Sequence, residues 1–163
     1  MQGSVAWGDY SGDGKLDLIL TGFSNNSYIS KLYKNNGSGV LTEDTSLALP
    51  GVNVSSVAWG DYSGDGKLDL ILTGSSNSGN ISKLYKNNGS GVLTEDTSLA
   101  LPGVYFGSVA WGDYSGDGKL DLILTGYNNG NPISKLYKNN GSGVLTEDTS
   151  LALPGVYFGS VAW

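Results

Sequence analysis

SVAWGDYSGDGKLDLILTG, residues 4–22, is written again at 56–74 and at 108–126, and its first four letters return at 160–163. Trp7, Trp59, Trp111 and Trp163 therefore stand 52 residues apart in one string, SVAW. A fixed period near fifty residues marks a propeller, solenoid or array, in which each unit is a supersecondary element unable to bury its own faces. The chain divides at 1–52, 53–104 and 105–156, and 157–163 is a partial fourth copy holding only a first strand.

Within one copy the pattern is that of short strands. Residues 4–9 carry Val5 and Trp7 before the turn SGDG, and 16–21 set Leu16, Leu18 and Leu20 against Asp17, Ile19 and Thr21. Both faces of that second segment become apolar past Asp17, as expected of a strand lying between two layers. Residues 29–34 read ISKLYK and 40–45 read VLTEDT, with Asn36-Gly37 between them predicting a tight hairpin turn. Pro50-Gly51 then leads into the next SVAW. No segment shows a 3.6-residue period, so the expected fold is all-β: three four-stranded antiparallel propeller blades plus an extra terminal strand. The tryptophans, on the innermost strand among apolar neighbours, are expected to pack between blades rather than to stack a sugar.

Composition removes whole classes of function. The nine basic residues are all lysines, histidine and cysteine are absent, and the formal charge is -6. No Ser/His/Asp or Cys/His nucleophile arrangement, no zinc site and no disulfide framework can be written from such a set. The acidic balance argues against nucleic acid as a partner. No apolar run approaches a membrane span, and MQGSVAWGDY lacks the charged and apolar regions of a signal peptide. The remaining acids, the neighbouring pairs Glu43-Asp44, Glu95-Asp96 and Glu147-Asp148, alternate to opposite faces of a strand and make no general acid/base pair, so no catalytic residue is expected.

The concentrated charge lies in GDYSGDGKLDL. Asp9, Asp13 and Asp17 occupy positions one, five and nine of a loop, with Ser11 at position three and the Lys15 backbone carbonyl at position seven. A hard cation takes six to eight oxygens, and a tightly curved loop can turn alternate residues toward one centre. Gly12 and Gly14 provide the curvature. The same set recurs as Asp61, Ser63, Asp65, Lys67 and Asp69, and as Asp113, Ser115, Asp117, Lys119 and Asp121, predicting up to three Ca²⁺ per chain. The competing reading is that these aspartates only cap turns of a glycine-rich loop.

Together, SVAWGDYSGDGKLDLILTG, KLYKNNGSG and VLTEDTS resemble the FG-GAP or VCBS repeat of integrin-α-type β-propellers. The resemblance covers essentially the whole chain. It implies a blade with Ca²⁺ held between its first and second strands by Asp9, Asp13 and Asp17 and their copies, and an extracellular or cell-surface setting. The family usually has Asp or Asn where this chain has Ser11, Ser63 and Ser115.

The copies differ in two places: FSNNSY, SSNSGN and YNNGNP after the second strand, and NVS or YFG before SVAW, with MQG at the start. In an up-and-down blade both map to the end opposite the acidic loop. Phe23, Tyr28, Tyr105, Phe106 and Tyr127 make that end a candidate face for a glycan or protein ligand, since aromatic and Asn/Ser/Gly side chains combine contact area with adaptable hydrogen bonding. Free drift of unconstrained loops would give the same variation, and copies this alike point to recent duplication or deliberate engineering. The Asn-x-Ser strings, such as Asn25-Asn26-Ser27, read as turns. Three blades leave two apolar flanks exposed, which predicts self-association into a closed ring, six blades as a homodimer in preference to nine as a homotrimer. The fourth SVAW is then either a strand exchanged into a partner's first blade or a competitor of residues 2–8 for the same slot, the alternative being that the chain is an excerpt of a longer repeat protein.

Overall fold

The computed structural model describes residues 2–163, and Met1, the first letter of the MQG variant, lies outside them. Twelve strands follow one another: β1 (Ser4–Gly8), β2 (Asp17–Ser24), β3 (Ser27–Asn35), β4 (Leu41–Glu43), β5 (Val52–Gly60), β6 (Asp69–Ser76), β7 (Gly79–Asn87), β8 (Leu93–Asp96), β9 (Tyr105–Gly112), β10 (Asp121–Asn128), β11 (Asn131–Asn139) and β12 (Leu145–Glu147). Each repeat is an antiparallel meander in which the second strand is central and the fourth is short. No helix among the described residues is long and apolar enough to cross a membrane.

The strands form two open sheets. β9 to β12 make a four-stranded sheet, and β1 to β8 make one eight-stranded sheet in which the first two repeats are joined by the single pair Ile29–Val52. This corrects the expectation of closed propeller architecture. Neither sheet closes on itself or curls into separate propeller blades, and no ring or closure by oligomerisation is evident. The physical reason lies at the edges: β1 pairs only with β2 and β12 only with β11, so each end of the array stops at an unpaired edge. The expected extra terminal strand is also corrected, since residues 157–163 form no strand. The segment is tied down by the Ile133–Val156 bridge and by Phe158 N–H donating to the Phe106 carbonyl at 2.7 Å.

The turns differ from their sequence reading as well. The tight two-residue hairpin lies in the variable loop, where Ser24 faces Ser27 across Asn25 and Asn26, both at positive φ (48° and 61°). Asn36-Gly37 instead begins a wider loop in which Asn36 N–H donates to the Val40 carbonyl, and the Asn36 side chain accepts from Ser38 and Val40.

The core is shared between repeats, as the two-faced apolar pattern requires. One cluster sets Tyr10, Ile19 and Leu32 of the first repeat against Val57, Leu70, Leu72 and Leu93 of the second. The next sets Tyr62, Ile71 and Leu84 against Val109, Leu122, Leu124 and Leu145. Across each junction a tryptophan stacks flat on the preceding repeat's tyrosine, Trp59 on Tyr10 at 5.6 Å and Trp111 on Tyr62 at 5.4 Å. Gly8 and Gly60 are required beneath these rings, because a Cβ there would lie 2.7 and 2.6 Å from the indole Cδ1. The expected inter-blade packing of tryptophan thus holds at Trp59 and Trp111 as packing between repeats, whereas Trp7 and Trp163 remain 54% and 76% exposed.

Position, rather than residue type, then decides stability. Trp111→Ala is expected to cost about 3–5 kcal/mol through a large cavity, and Trp7→Ala under about 1 kcal/mol, as for a surface substitution. Urea unfolding of the two variants measures the difference.

Candidate functional site

At one end of the array lie the acidic loops. Gly12 and Gly14 adopt φ of 75° and 83°, as the curvature argument requires. Asp9 accepts the amides of Asp13 (3.0 Å) and Gly14 (2.8 Å), and the buried Asp17 accepts those of Ser11 (3.1 Å) and Asn35 (2.9 Å). Asp13 accepts the Lys15 amide and pairs with the Lys15 ammonium at 3.1 Å. The pattern repeats at Asp61, Asp65, Asp69 with Lys67 and at Asp113, Asp117, Asp121 with Lys119. Burial pushes the Asp69 carboxyl up against the amides that favour its ionised form.

No group of three acids is gathered as a metal site among the described residues. The ligand set expected from Asp9, Asp13 and Asp17 is therefore not assembled in that form; the carboxylates are turned to loop amides and to lysine, much as turn caps would be. The donor chemistry is still that of a hard cation, oxygen only. Ser11 Oγ, at position three, is buried without a hydrogen-bond partner, whereas Ser63 Oγ reaches Asp61 at 3.5 Å.

Beside each acidic loop is a polar cluster the sequence reading missed. Tyr10 donates to Asp44 at 2.9 Å, Lys34 pairs with the same carboxylate at 2.9 Å, and its ammonium lies 5.9 Å from the Tyr10 ring centre. Tyr62, Asp96 and Lys86 repeat the arrangement, as do Tyr114, Asp148 and Lys138. Burial opposes ionisation of Asp44 and Asp96, but donors from serine, lysine and tyrosine outweigh it and hold both carboxyls well below the usual range. Lys138, Ser150 and Tyr114 do the same for Asp148. Glu43, Glu95 and Glu147 point elsewhere, to Lys31, Lys83 and Lys135, so the neighbouring acids do diverge.

The opposite end carries the aromatic residues. Tyr105 pairs across the sheet with Tyr127, their rings edge to face at 5.7 Å, and Phe106 lies 4.8 Å from Tyr105. Two rings the sequence reading did not include complete the group: Phe158, 4.0 Å from Phe106, and Tyr157, 5.2 Å from Tyr127. The signal for them was present, since YFG at 157–159 repeats YFG at 105–107. Phe106 and Phe158 have φ of 51° and 56°, a conformation uncommon for bulky side chains. Phe23 and Tyr28 pair separately, 5.7 Å apart, on the first repeat, and at the matching positions of the middle repeat Ser75 faces Asn80. The five candidate ligand-face residues are thus split into two patches by a polar repeat.

Residues 9–72 and 64–124 match the FG-GAP-like repeat family, together most of the chain. The chain belongs to that family. No curated protein matches it. Within this FG-GAP-like chain the acidic loop and the inter-repeat tryptophan are among the constant parts, and the five-ring group belongs to the third repeat and the segment after it.

The depressed carboxyls set an acid limb. A group whose folded pKa is depressed contributes stability that is present above its unfolded pKa and lost as pH falls through the folded value. Asp44, Asp96 and Asp148 therefore predict stability that is full above about pH 5 and declines as pH drops below the ordinary carboxyl range near 4. Asp69, shifted upward, acts in the opposite sense. Asp44→Asn, Asp96→Asn and Asp148→Asn combined are expected to flatten this limb in urea unfolding followed across pH.

Proposed function

We propose that the protein is a non-catalytic binding module that engages a protein partner through the aromatic end of its third repeat. The observation that carries this is the five-ring group of Tyr105, Phe106, Tyr127, Tyr157 and Phe158, built from three separate segments, with Tyr157 and Phe158 48% and 61% exposed. Tilted and edge-on rings make a ridge of the kind protein hot spots use, rather than one flat face for a sugar. The divergence of the acid pairs supports the absence of catalysis, and an extracellular setting accords with the family resemblance.

The immobilised chain is expected to retain a protein ligand saturably, with Tyr127→Ser plus Tyr105→Ser weakening it at least tenfold. Retention that is equal for both proteins, or binding seen only on a glycan array, overturns the reading.

A second proposal concerns a cofactor and rests on the unpartnered Ser11 Oγ among oxygen donors. Ca²⁺ in the loop would be held by Asp9, Ser11, Asp13 and Asp17, with Asp13 drawn away from Lys15. A ligand bound only by the folded state raises its stability by mass action. Added Ca²⁺ is therefore expected to raise the melting temperature reversibly, with EDTA restoring it; a melting temperature indifferent to both rejects the cofactor.

A further inference from the structure

Asparagine followed by glycine occurs four times, at 36–37, 88–89, 129–130 and 140–141. All four asparagines are exposed. They differ in what holds their side chains and the glycine amides that follow.

Three of the pairs stand in the NNGSG loops and are held closed. Asn36 Oδ1 accepts the amides of Ser38 and Val40 at 2.8 and 3.2 Å, and Gly37 N–H donates to Asn35 Oδ1 at 2.9 Å. Asn88 repeats this with Ser90, Val92 and Asn87, and Asn140 with Ser142, Val144 and Asn139. The stems of Lys15, Lys67 and Lys119 lie over Gly37, Gly89 and Gly141, so close that an added Cβ would fall 2.8, 2.7 and 2.6 Å from Cδ.

Asn129-Gly130 is instead the two-residue tip of the β10–β11 hairpin, closed by the pair Asn128–Asn131, with φ of 45° and 90°. Such a turn requires positive φ at both residues, and asparagine-glycine supplies it. Among the described residues neither the Asn129 side chain nor the Gly130 amide makes a hydrogen bond; only the Asn129 carbonyl is engaged, by Asn131 Nδ2 at 3.4 Å. Beyond its chain neighbours, nothing lies within 4 Å of where a Cβ on Gly130 would stand.

We propose that Asn129 is a site of spontaneous deamidation, selected by the structure over the three other asparagine-glycine pairs. The Gly130 amide nitrogen gives its proton to solvent base and attacks Asn129 Cγ. The N–Cγ bond forms, the Cγ–Nδ2 bond breaks, and the leaving nitrogen takes a proton and departs as ammonia, which leaves a five-membered succinimide. Water then adds to one of the two imide carbonyls. Opening at Cγ gives an ordinary aspartate at position 129, and opening at the main-chain carbonyl gives a β-linked one. The sum is side-chain amide plus water to carboxylate plus ammonium, with no change of oxidation state. In the NNGSG loops the same attack must first take the glycine N–H from one asparagine and turn the next asparagine's Oδ1 away from two amides, leaving buried and partly buried partners unpaired.

The β-linked product lengthens the turn by one backbone carbon and adds one negative charge. The two-residue tip takes up that carbon by giving up the Asn128–Asn131 pair. Tyr127 is next along the strand, opposite Pro132, and its ring meets Tyr105 and Tyr157 at 5.7 and 5.2 Å. The modification thus acts on the aromatic end and leaves the junctions between repeats alone.

The test is to age the folded chain in mildly alkaline buffer, cut it after lysine and weigh the peptides 35–67, 87–119, 120–135 and 139–163, which hold one pair each. Peptide 120–135 is expected to exchange amide for acid roughly tenfold faster than the other three, with fragment ions placing the change at Asn129 in both linkages. In urea the four rates are expected to converge, because the dipeptide is the same. Asn35→Ala, which removes the acceptor of Gly37 N–H, is expected to speed Asn36 alone. Equal rates in the folded chain, a faster Asn36, Asn88 or Asn140, or a gap that persists in urea overturns the proposal. The β-linked form, separated by anion exchange, is expected to show shifted ring resonances of Tyr105, Tyr127 and Tyr157, and unshifted ones overturn the effect on the aromatic end.

Discussion

The flat stacking of one repeat's tryptophan on the preceding repeat's tyrosine is the contact on which the rest of this molecule depends. A meander of about fifty residues has too little interior to hold itself together. Its central strand is apolar on both faces, so Leu70 and Leu72 must be covered from one side and Ile71 from the other. The Trp–Tyr stack, with a glycine beneath it to admit the ring, fixes the distance and angle at which the next repeat can supply that cover. Stability in such an array is a sum of weak units and strong junctions. Residues at a junction therefore matter more than residues of the same name at an end.

That rule explains which parts of the fold could be read from the letters. Strand order, antiparallel pairing and the two-faced second strand follow from alternation and turn residues local to each repeat, and the observed strands fall close to the expected segments. The environment of Trp7 could not be read in the same way. Its local sequence is that of Trp111, and the difference between them is made by whichever repeat lies alongside. Closure was misjudged for a related reason. The expected ring depended on how repeats are arranged beyond the chain's own edges, whereas the pairing found within it joins the first two repeats edge to edge through Ile29 and Val52 and leaves the outer edges open.

The site was legible to a similar depth. Spacing identified Asp9, Asp13 and Asp17 as one loop, and the loop is tightly curved about its glycines as expected. What spacing could not give is where each lone pair goes. Asp13 is taken up by the lysine two residues on, and Asp17 by an amide on β3, so three acids close in sequence do not make one group in space. The Tyr10–Asp44–Lys34 cluster escaped notice because its members come from a loop, a strand and the residue just after another strand, and no short motif contains them. At the aromatic end, the pairing of Tyr105 with Tyr127 depends on a register shift in β9 that places the YFG triplet opposite the variable loop.

These two ends divide the labour of the repeat. The acidic end is coupled to the next repeat: Gly12 and Gly64 lie so close to the carbonyls of Gly89 and Gly141 that a side chain there would collide with the neighbouring turn. A change in one copy would have to be matched in the next. The aromatic end carries less of this coupling, since its turns close on themselves through two-residue hairpins such as Asn25-Asn26. Sequence can vary there without disturbing the junctions. Recognition, if it is to be altered without loss of the array, has to be written at that end, and the third repeat is where the aromatic residues have accumulated.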